Sequence, residues 1–350
     1  MPPEQILEQF SFPSPVLSWQ PFGNGHINNT VRVHCAEGAY IAQRLNRQVF
    51  SDGTAVMSNI ARVLDHLSGK IPDPRRRLWL LPTRSGARWL TDPTGEIWRV
   101  YPLIPDTVTI EQVDAPAQAF AAAHGFARFL AQLADLPGGP LSSVIPGFHD
   151  TPTRLAQLVD AARADPCGRL AEVAQEVRWC LDQDELAGQL IRARDSGALA
   201  ETATHNDTKI NNLLLEPDGC TAACVIDLDT LMPGVVLYDF ADLVRTGSCR
   251  AAEDADPAAM LPDPDLLAAL VAGWLSGRGN AASAAERLLM PIAGAVITFE
   301  QGIRFLTDHL LGDRYYRIHH PGHNRDRARA QLALARALLA RRADLARLIP

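Results

Sequence analysis

Two polar stretches in the second half of the chain carry the side chains best suited to chemistry. The first contains Asp207, Lys209 and Asn212, and the second contains Asp227. Carboxylate and amide oxygens are the ligands that Mg²⁺ prefers, so Asn212 and Asp227 form a candidate metal pair. A further carboxylate, Asp207, can orient a hydroxyl group and accept its proton. Lys209 can neutralise charge on a moving phosphoryl group, and the set therefore predicts phosphoryl transfer.

The spacing of these residues strengthens that prediction. His205, Asp207 and Asn212 follow the pattern HxDxxxxN, and Asp227 comes 20 residues after Asp207. Kinases place their catalytic loop and their metal-binding aspartate at this spacing, within a strand–turn–strand unit. We therefore predict that Asp207 and Lys209 are catalytic and that Asn212 and Asp227 bind the metal. For His205 we expect support of the loop backbone rather than a direct part in the reaction.

The elements that must position these residues divide the chain into two parts. Up to residue 104 the hydrophobic periodicity indicates strand, strand, helix, strand, strand, with the helix over 51–67. Beyond Pro105 the pattern is mainly helical, apart from the polar loop and a hairpin of strands over 212–215 and 222–228. We predict an α+β, bilobal, protein-kinase-like fold. It has a small β-rich N-terminal nucleotide-binding lobe (1–104) and a larger, mainly helical C-terminal lobe (105–350) that holds the catalytic and substrate residues.

The N-terminal part offers a glycine-containing turn for the phosphates. Gly23 and Gly25 precede the first predicted strand pair, and glycine allows a backbone to approach a ligand closely. The second strand carries no lysine that could contact the phosphates. Arg44 is the candidate replacement and Gln43 the alternative, because a guanidinium binds phosphate in a bidentate manner.

The adenine is expected against the strand that joins the two lobes. Backbone groups of Tyr101 and Leu103 are the candidate contacts. The helix over 51–67 has no glutamate to pair with a strand cation, and Asn59 is its nearest polar candidate. Because protein kinases depend on such a Lys–Glu pair, this absence argues against a protein kinase.

Composition narrows the class of function. The net charge of −7 argues against a dedicated nucleic-acid binder and against a binder of anionic membranes, and no apolar run is long enough to span a membrane. None of the six cysteines forms a CxxC pair, and the N-terminus does not resemble a secretory signal, so we expect a cytoplasmic protein. Lysine is nearly absent: Lys70 and Lys209 are the only two.

Four segments resemble a known group of enzymes. They are FGNGHINNT (22–30), HNDTKINNLLL (205–215), CVIDLDTLMPGVVLYDFADLVRTG (224–247) and ITFEQGIRFLTDHLLGDRYYRIHHPGHNRDRAR (297–329). The chain resembles the N-acetylhexosamine 1-kinase group of the aminoglycoside phosphotransferase–choline kinase superfamily. The last segment is the most specific, since it lies outside the general kinase machinery.

The resemblance implies an activity and a set of contacts. It implies a kinase that uses ATP and Mg²⁺ to phosphorylate the anomeric hydroxyl of GlcNAc or GalNAc, yielding the α-sugar 1-phosphate. It places the catalytic aspartate on Asp207 and the metal residues on Asn212 and Asp227. The partners would be the sugar and ATP, bound by a monomer or homodimer. The sugar contacts that it implies are His26, Asp229, Arg304 and Tyr315.

Alternatives remain open at this point. Asp229, predicted to share a strand face with Asp227, could be a metal ligand or a sugar ligand. Arg304 could instead pair with Glu300, which lies four residues earlier on the same helix. Asn29 stands where relatives often carry an acid. The acceptor could therefore be another small alcohol (another sugar, an amino alcohol or an aminoglycoside), and a nucleotide-binding regulator without turnover is a third reading.

Overall fold

The computed structural model describes residues 3–23 and 28–350, and the elements below belong to these residues. The strands are β1 (Val16–Pro21), β2 (Asn29–Cys35), β3 (Ala39–Arg44), β4 (Leu90–Thr91), β5 (Ile97–Pro102), β6 (Glu201–Thr204), β7 (Leu213–Leu215), β8 (Ala222–Val225) and β9 (Met232–Val235). The helices are α1 (Pro3–Leu7), α2 (Gly53–Lys70), α3 (Pro116–Leu133), α4 (Thr151–Ala164), α5 (Ala174–Leu181), α6 (Asp184–Ala187), α7 (Gln189–Asp195), α8 (Val236–Gly247), α9 (Pro264–Arg278), α10 (Ala284–Leu310), α11 (His323–Ala340) and α12 (Arg342–Arg347).

The N-terminal part is an antiparallel five-stranded sheet in the order β1-β2-β3-β5-β4. Successive side chains of a strand point to opposite faces, and both faces of this sheet are covered. On one face Val33, Ala42 and Val100 pack with residues of the α1 region. On the other face Ile97 and Tyr101 join the core cluster that contains the apolar side of α2. The predicted strand pair and the predicted helix over 51–67 are confirmed as β2, β3 and α2.

The C-terminal part is a helical assembly around α10. This helix has 27 residues and carries Pro291 inside it. By length and composition alone it could cross a membrane, but 78% of its most apolar window is buried inside the fold, as in a core helix. Helices α4, α8 and α11 pack against it. The helix therefore supplies a fixed base for the polar loop.

Two short ladders frame the polar loop. Strand β6 pairs with β9, and β7 pairs with β8, both antiparallel. The β7–β8 ladder confirms the predicted hairpin, although β8 ends at Val225 rather than Leu228. Met232-Pro233-Gly234 has the composition of a turn, but these residues form most of β9. Pairing with β6 outweighs the turn preference of Pro and Gly.

Candidate active site

The backbone of the polar loop is held by one buried carboxylate. Asp239, in the first turn of α8, accepts hydrogen bonds from the backbone N–H of His205 (2.8 Å) and of Asn206 (2.6 Å). The hydroxyl of Thr208 donates to the Asp239 carbonyl at 2.6 Å. Burial raises the pKa of Asp239 to about 6, against the opposing effect of His205 and the two N–H groups. The loop therefore starts from a fixed conformation, with Asn206 in the left-handed region at φ 64°.

His205 connects this loop to the chain before Asp227, as expected of a supporting residue. Its Nδ1 accepts the backbone N–H of Asp207 at 3.3 Å, so Nε2 carries the proton and donates to the carbonyl of Ile226 at 2.9 Å. The ring is fully buried and packs edge-on against Phe126 and Phe129. Both ring nitrogens are engaged, so His205 has no free group for the reaction.

Asp207 and Asn212 lie side by side. The Asn212 amide nitrogen donates to the backbone oxygen of Asp207 (2.9 Å) and to its Oδ2 (3.0 Å). Burial and the negative charge of Asp242 raise the pKa of Asp207, while His205 and Arg245 act in the opposite direction. A carboxylate with a raised pKa is a stronger base, and the amide fixes its orientation. The amide oxygen of Asn212 accepts no hydrogen bond from any described residue and is available to a cation.

Asp227 directly follows Ile226, whose carbonyl accepts a hydrogen bond from His205. Its backbone is left-handed at φ 57°, a conformation that aspartate tolerates better than most residues. Its side chain reaches water. Burial of its surroundings, with the carboxylates of Asp229 and Asp207, raises its pKa to about 8, and Arg99 opposes this rise. Carboxylate and amide oxygens in an electronegative setting suit a hard divalent cation, so Asp227 and Asn212 could hold Mg²⁺.

Asp229 departs from its expected placement. It lies in a 3₁₀ turn (Leu228–Thr230) rather than on a strand, so the argument from strand alternation is wrong. The side chain is buried and forms an ion pair with Arg99. Its other oxygen accepts a hydrogen bond from the Asn28 amide at 2.6 Å. The structure places Asp229 close to Asp227 but with both oxygens already in contact with other side chains.

The predicted phosphate contacts are only partly brought together. Gly23 has φ 80°, which favours glycine, whereas Gly25 and His26 lie outside the described residues. Arg44 lies on the sheet face that carries Trp98, with its guanidinium 6.0 Å from that ring.

Gln43 lies on the opposite face, directly beside Arg99 on β5. Arg99, which sequence reasoning missed, is therefore the sheet arginine that contacts the Asp227–Asp229 turn. Arg44 is not brought to this turn.

The segment predicted to contact the adenine lies at the end of β5 and in the residues just after it. Tyr101 is buried beneath the Arg99 guanidinium, which lies 5.2 Å from its ring centre. The backbone N–H of Leu103 donates to the carbonyl of Ala39 at 2.9 Å, so this donor is already used. Within the described residues the N–H of Ile104 donates to no acceptor.

Lys209 stands at the edge of the site. It immediately precedes a 3₁₀ turn (Ile210–Asn212), and its carbonyl accepts the N–H of Asn212 at 2.8 Å. The side chain is exposed and donates to none of the described residues. It is therefore able to reach toward an anionic group beside Asp207.

Two predicted sugar contacts, Arg304 on α10 and Tyr315 after this helix, lie close to Phe148 and Tyr316. We call these four residues the aromatic corner. The guanidinium of Arg304 lies between the rings of Phe148 (5.3 Å) and Tyr316 (5.7 Å) and donates to Gln301 at 3.2 Å. Tyr315 is 64% exposed and packs edge-on against Tyr316. Against burial and the positive charge of Arg245, the neighbouring Tyr316 and Glu300 raise the pKa of Arg304.

Glu300 takes no part in the ion pair with Arg304 that was open as an alternative. Its carboxylate instead accepts from Thr151 at 2.6 Å and contacts His149 Nδ1 at 2.9 Å. His149 Nε2 lies 3.3 Å from the carbonyl of Asn206. Burial opposes ionisation of Glu300, but His149 and Thr151 hold its pKa below the usual range. This buried network supports the loop from α10, and the long sequence separation of its members hid it from sequence analysis.

A separate cluster contains Asp254, His320 and His323, whose side-chain ligand atoms all lie within 4.8 Å of one another. His323 Nδ1 accepts the backbone N–H of His319 at 3.2 Å, so Nε2 carries the proton and donates to Asp254 at 3.1 Å. Both nitrogens of the buried ring are thus in use. These hydrogen bonds fix the start of α11.

Comparison with known proteins supports the fold. Residues 18–285 match the model of the phosphotransferase enzyme family (APH). An aminoglycoside phosphotransferase from Alicyclobacillus acidocaldarius subsp. acidocaldarius DSM 446 aligns with a TM-score of 0.66 at 15% identity, over 100% of this chain and 96% of that chain.

Two further solved structures align over nearly their whole length. A microcompartment-associated aminopropanol kinase gives a TM-score of 0.61 at 16% identity, over 98% of this chain and 97% of that chain. A choline kinase from Streptococcus pneumoniae gives 0.53 at 13% identity, over 93% and 94%. At these identities the likeness concerns the fold, and it confirms the predicted protein-kinase-like architecture with a β-rich N-terminal part and a mainly helical C-terminal part.

Proposed function

The chain belongs to the phosphotransferase enzyme family, and from this premise we propose that it phosphorylates the anomeric hydroxyl of an N-acetylhexosamine with ATP and Mg²⁺. The observation that carries the proposal is the grouping of Asp207, Asn212 and Asp227 on one rigid loop and the adjoining hairpin. The products would be the sugar 1-phosphate and ADP. Mg²⁺, when bound, would offset the charge of the phosphate oxygens.

Asp207 is the proposed base. Its carboxylate orients the anomeric hydroxyl and takes its proton as the hydroxyl oxygen bonds to the γ-phosphorus and the bond to the ADP oxygen breaks. The raised pKa of Asp207 favours this acceptance, and the amide of Asn212 keeps the carboxylate in place. Lys209 would meet the charge of the transferring group from the exposed side of the loop.

Asn212 and Asp227 are the proposed metal ligands. Asn212 presents its amide oxygen, because its nitrogen is committed to Asp207. Asp227 presents its carboxylate from a backbone conformation that the following turn fixes. Together they offer two kinds of oxygen ligand that Mg²⁺ accepts alongside water and phosphate oxygens.

The positive charge of the aromatic corner, the proposed binding place of the acceptor, favours a neutral sugar. Arg304 has no carboxylate within ion-pair distance among the described residues, so it contributes positive charge beside Tyr315 and Tyr316. A polycationic aminoglycoside or a quaternary amine would be repelled there, whereas sugar hydroxyls can accept hydrogen bonds from the guanidinium. His26 is proposed as a further sugar contact from its sequence position alone.

The test is a product analysis by ³¹P NMR after incubation with MgATP. The acceptors are GlcNAc, GalNAc, glucose and galactose, with choline, aminopropanol and kanamycin as cationic comparators. We expect a phosphorus signal coupled to an anomeric proton for an N-acetylhexosamine. Turnover only with a cationic acceptor would replace the proposal by the broader small-alcohol kinase reading.

A matched variant tests the mechanism. Asp207→Asn keeps the shape of the side chain and removes the base, so we expect kcat to fall by about 10²–10⁴-fold. MgADP binding, measured by calorimetry, should be retained because Asp227 and Asn212 are unchanged. Near-normal turnover by this variant would exclude Asp207 as the base.

A further inference from the structure

The arginine beside the Asp227–Asp229 turn comes from β5 and not from β3, where Arg44 was the candidate. Arg99 belongs to β5 and is only 1% exposed. Its guanidinium contacts the carboxylate of Asp229, and the two side chains are 2% and 4% exposed. Water therefore does not compete for this ion pair. It joins the N-terminal sheet to the turn that carries the proposed metal ligand.

Neighbouring strands fix the guanidinium in place. Its Nε and Nη2 donate to the side-chain oxygen of Gln43 on β3 at 3.1 and 2.9 Å. The amide nitrogen of Gln43 donates in turn to the hydroxyl of Thr30 on β2 at 3.2 Å. Met57 of α2 lies on the other side, with its sulfur 4.0 Å from Nη1. Three strands and one helix thus set the direction in which Arg99 points.

The second oxygen of Asp229 is held from the same lobe. The Asn28 amide nitrogen donates to it at 2.6 Å, and the Asn28 oxygen accepts the backbone N–H of Asn46 at 3.0 Å. Asp229 itself lies only two residues after Asp227, in the buried 3₁₀ turn. Residues of the N-terminal part therefore contact both oxygens of a side chain that is two residues away from Asp227.

We propose that Arg99 and Asn28 form an interlobe latch on Asp229, and that Asp229 is a positioning residue for the metal ligand Asp227 rather than a sugar ligand. The inference rests on the proposed kinase function. Both side chains are buried, so loss of either partner would leave a buried charge uncompensated, which costs far more than breaking an exposed pair. The latch thus favours the arrangement in which Asp227 faces the loop of Asp207.

The experiment is a double-mutant cycle. The unmodified chain is compared with Arg99→Met, with Asp229→Asn and with the double variant. The measured quantities are kcat, sugar KM, MgADP affinity and the apparent Mg²⁺ constant, which is the Mg²⁺ concentration that gives half-maximal activity. Each single change should raise the apparent Mg²⁺ constant or lower kcat by about 10–100-fold, as expected when a residue that supports a metal ligand is lost. Sugar KM should stay within about twofold, since Asp229 is not a sugar ligand in this proposal.

The double variant distinguishes positioning from damage. It leaves no uncompensated buried charge, so it should fold at least as well as either single variant. Its apparent Mg²⁺ constant should not exceed the larger of the two values for the single variants, because the two residues act as one unit.

A matched control removes a buried arginine elsewhere. Arg278 pairs with Glu286 at 3.2 Å where α9 ends and α10 begins, and both are buried. Arg278→Met should lower the midpoint of thermal unfolding and leave the Mg²⁺ constant unchanged.

Two results would overturn the latch. One is an Asp229→Asn variant whose sugar KM rises while its Mg²⁺ constant stays the same, which would make Asp229 a sugar ligand. The other is strict additivity of the two single changes. If the unmodified chain phosphorylates no sugar, the proposed function fails, but MgADP affinity across the cycle still tests the latch.

Discussion

At the scale of single residues, we expect Asp227, the proposed metal ligand, to couple metal binding to the release of a proton. Its pKa is raised to about 8, so most of the carboxyl groups are protonated at pH 6 and a cation must displace a proton to bind. A group with a raised pKa favours its protonated form below that pKa, and metal binding favours the ionised form. The affinity for the Mg²⁺–nucleotide complex should therefore rise with pH and level off above the pKa.

This coupling predicts a slope that can be measured. Between pH 6 and pH 7 the MgADP affinity should increase by about tenfold, the value for release of one proton. Calorimetry in buffers of different ionisation enthalpy would count that proton. Asp227→Asn should bind MgADP more weakly and show a flat profile. A steep profile in Asp227→Asn would assign the proton to another group.

The two lysines provide a matched pair of variants. Lys209 is exposed on the polar loop, whereas Lys70 donates to the carbonyl of Gln132 at 2.7 Å and pairs with Asp135, at the end of α3. Lys209→Met should lower kcat by about 10²–10³-fold while sugar KM changes little, since the charge that it meets grows in the transition state. Lys70→Met should leave kcat unchanged. Equal effects in steady-state kinetics would remove Lys209 from the mechanism.

At the scale of elements, β9 supports the polar loop through a position where a side chain larger than that of glycine would clash. A Cβ on Gly234 would lie 2.5 Å from the Thr204 hydroxyl and 3.1 Å from the Asn206 amide oxygen. Thr204 also donates to the carbonyl of Met232 at 3.0 Å. The strand therefore packs directly against the start of the polar loop.

Gly234→Ala should consequently lower the free energy of unfolding by about 1–3 kcal/mol, as overpacking does, and reduce kcat by displacing the loop. Urea unfolding and steady-state kinetics would measure the two effects. Gly69→Ala is the control, since its Cβ in α2 would meet no atom within 4 Å. It should raise stability by up to about 1 kcal/mol without affecting kcat. An unaffected Gly234→Ala enzyme would show that the loop does not depend on β9.

At the scale of the whole molecule, nucleotide and metal should act on the folded chain together. Because the proposed metal ligands meet only in the folded protein, MgADP should stabilise it by about 2.7 kcal/mol at a concentration of 100 times Kd. Thermal unfolding with ADP, with MgADP and with MgADP plus a chelator would measure this. Chelation should remove most of the stabilisation. An equal gain from ADP alone would argue against a metal held by Asn212 and Asp227.

Much of this organisation could be predicted from the sequence alone. Local periodicity predicted β2, β3, α2 and the β7–β8 hairpin, and a spacing pattern predicted the grouping of Asp207, Asn212 and Asp227. These features depend on residues close together in the chain, where backbone geometry limits the outcome. Their proposed roles in catalysis and metal binding stay predictions.

Only the tertiary structure decided which side chain of the N-terminal sheet contacts the Asp227–Asp229 turn. Arg44 and Gln43 are neighbours in sequence, but side chains alternate across a strand, and the register of β3 with β5 places Gln43 beside Arg99 and Arg44 beside Trp98. The β9 strand depends in the same way on its pairing with β6. The sequence thus determined the proposed reacting groups, which lie within one loop and the hairpin that follows it. The partners that hold them come from distant strands, because register and face are properties of the assembled sheet.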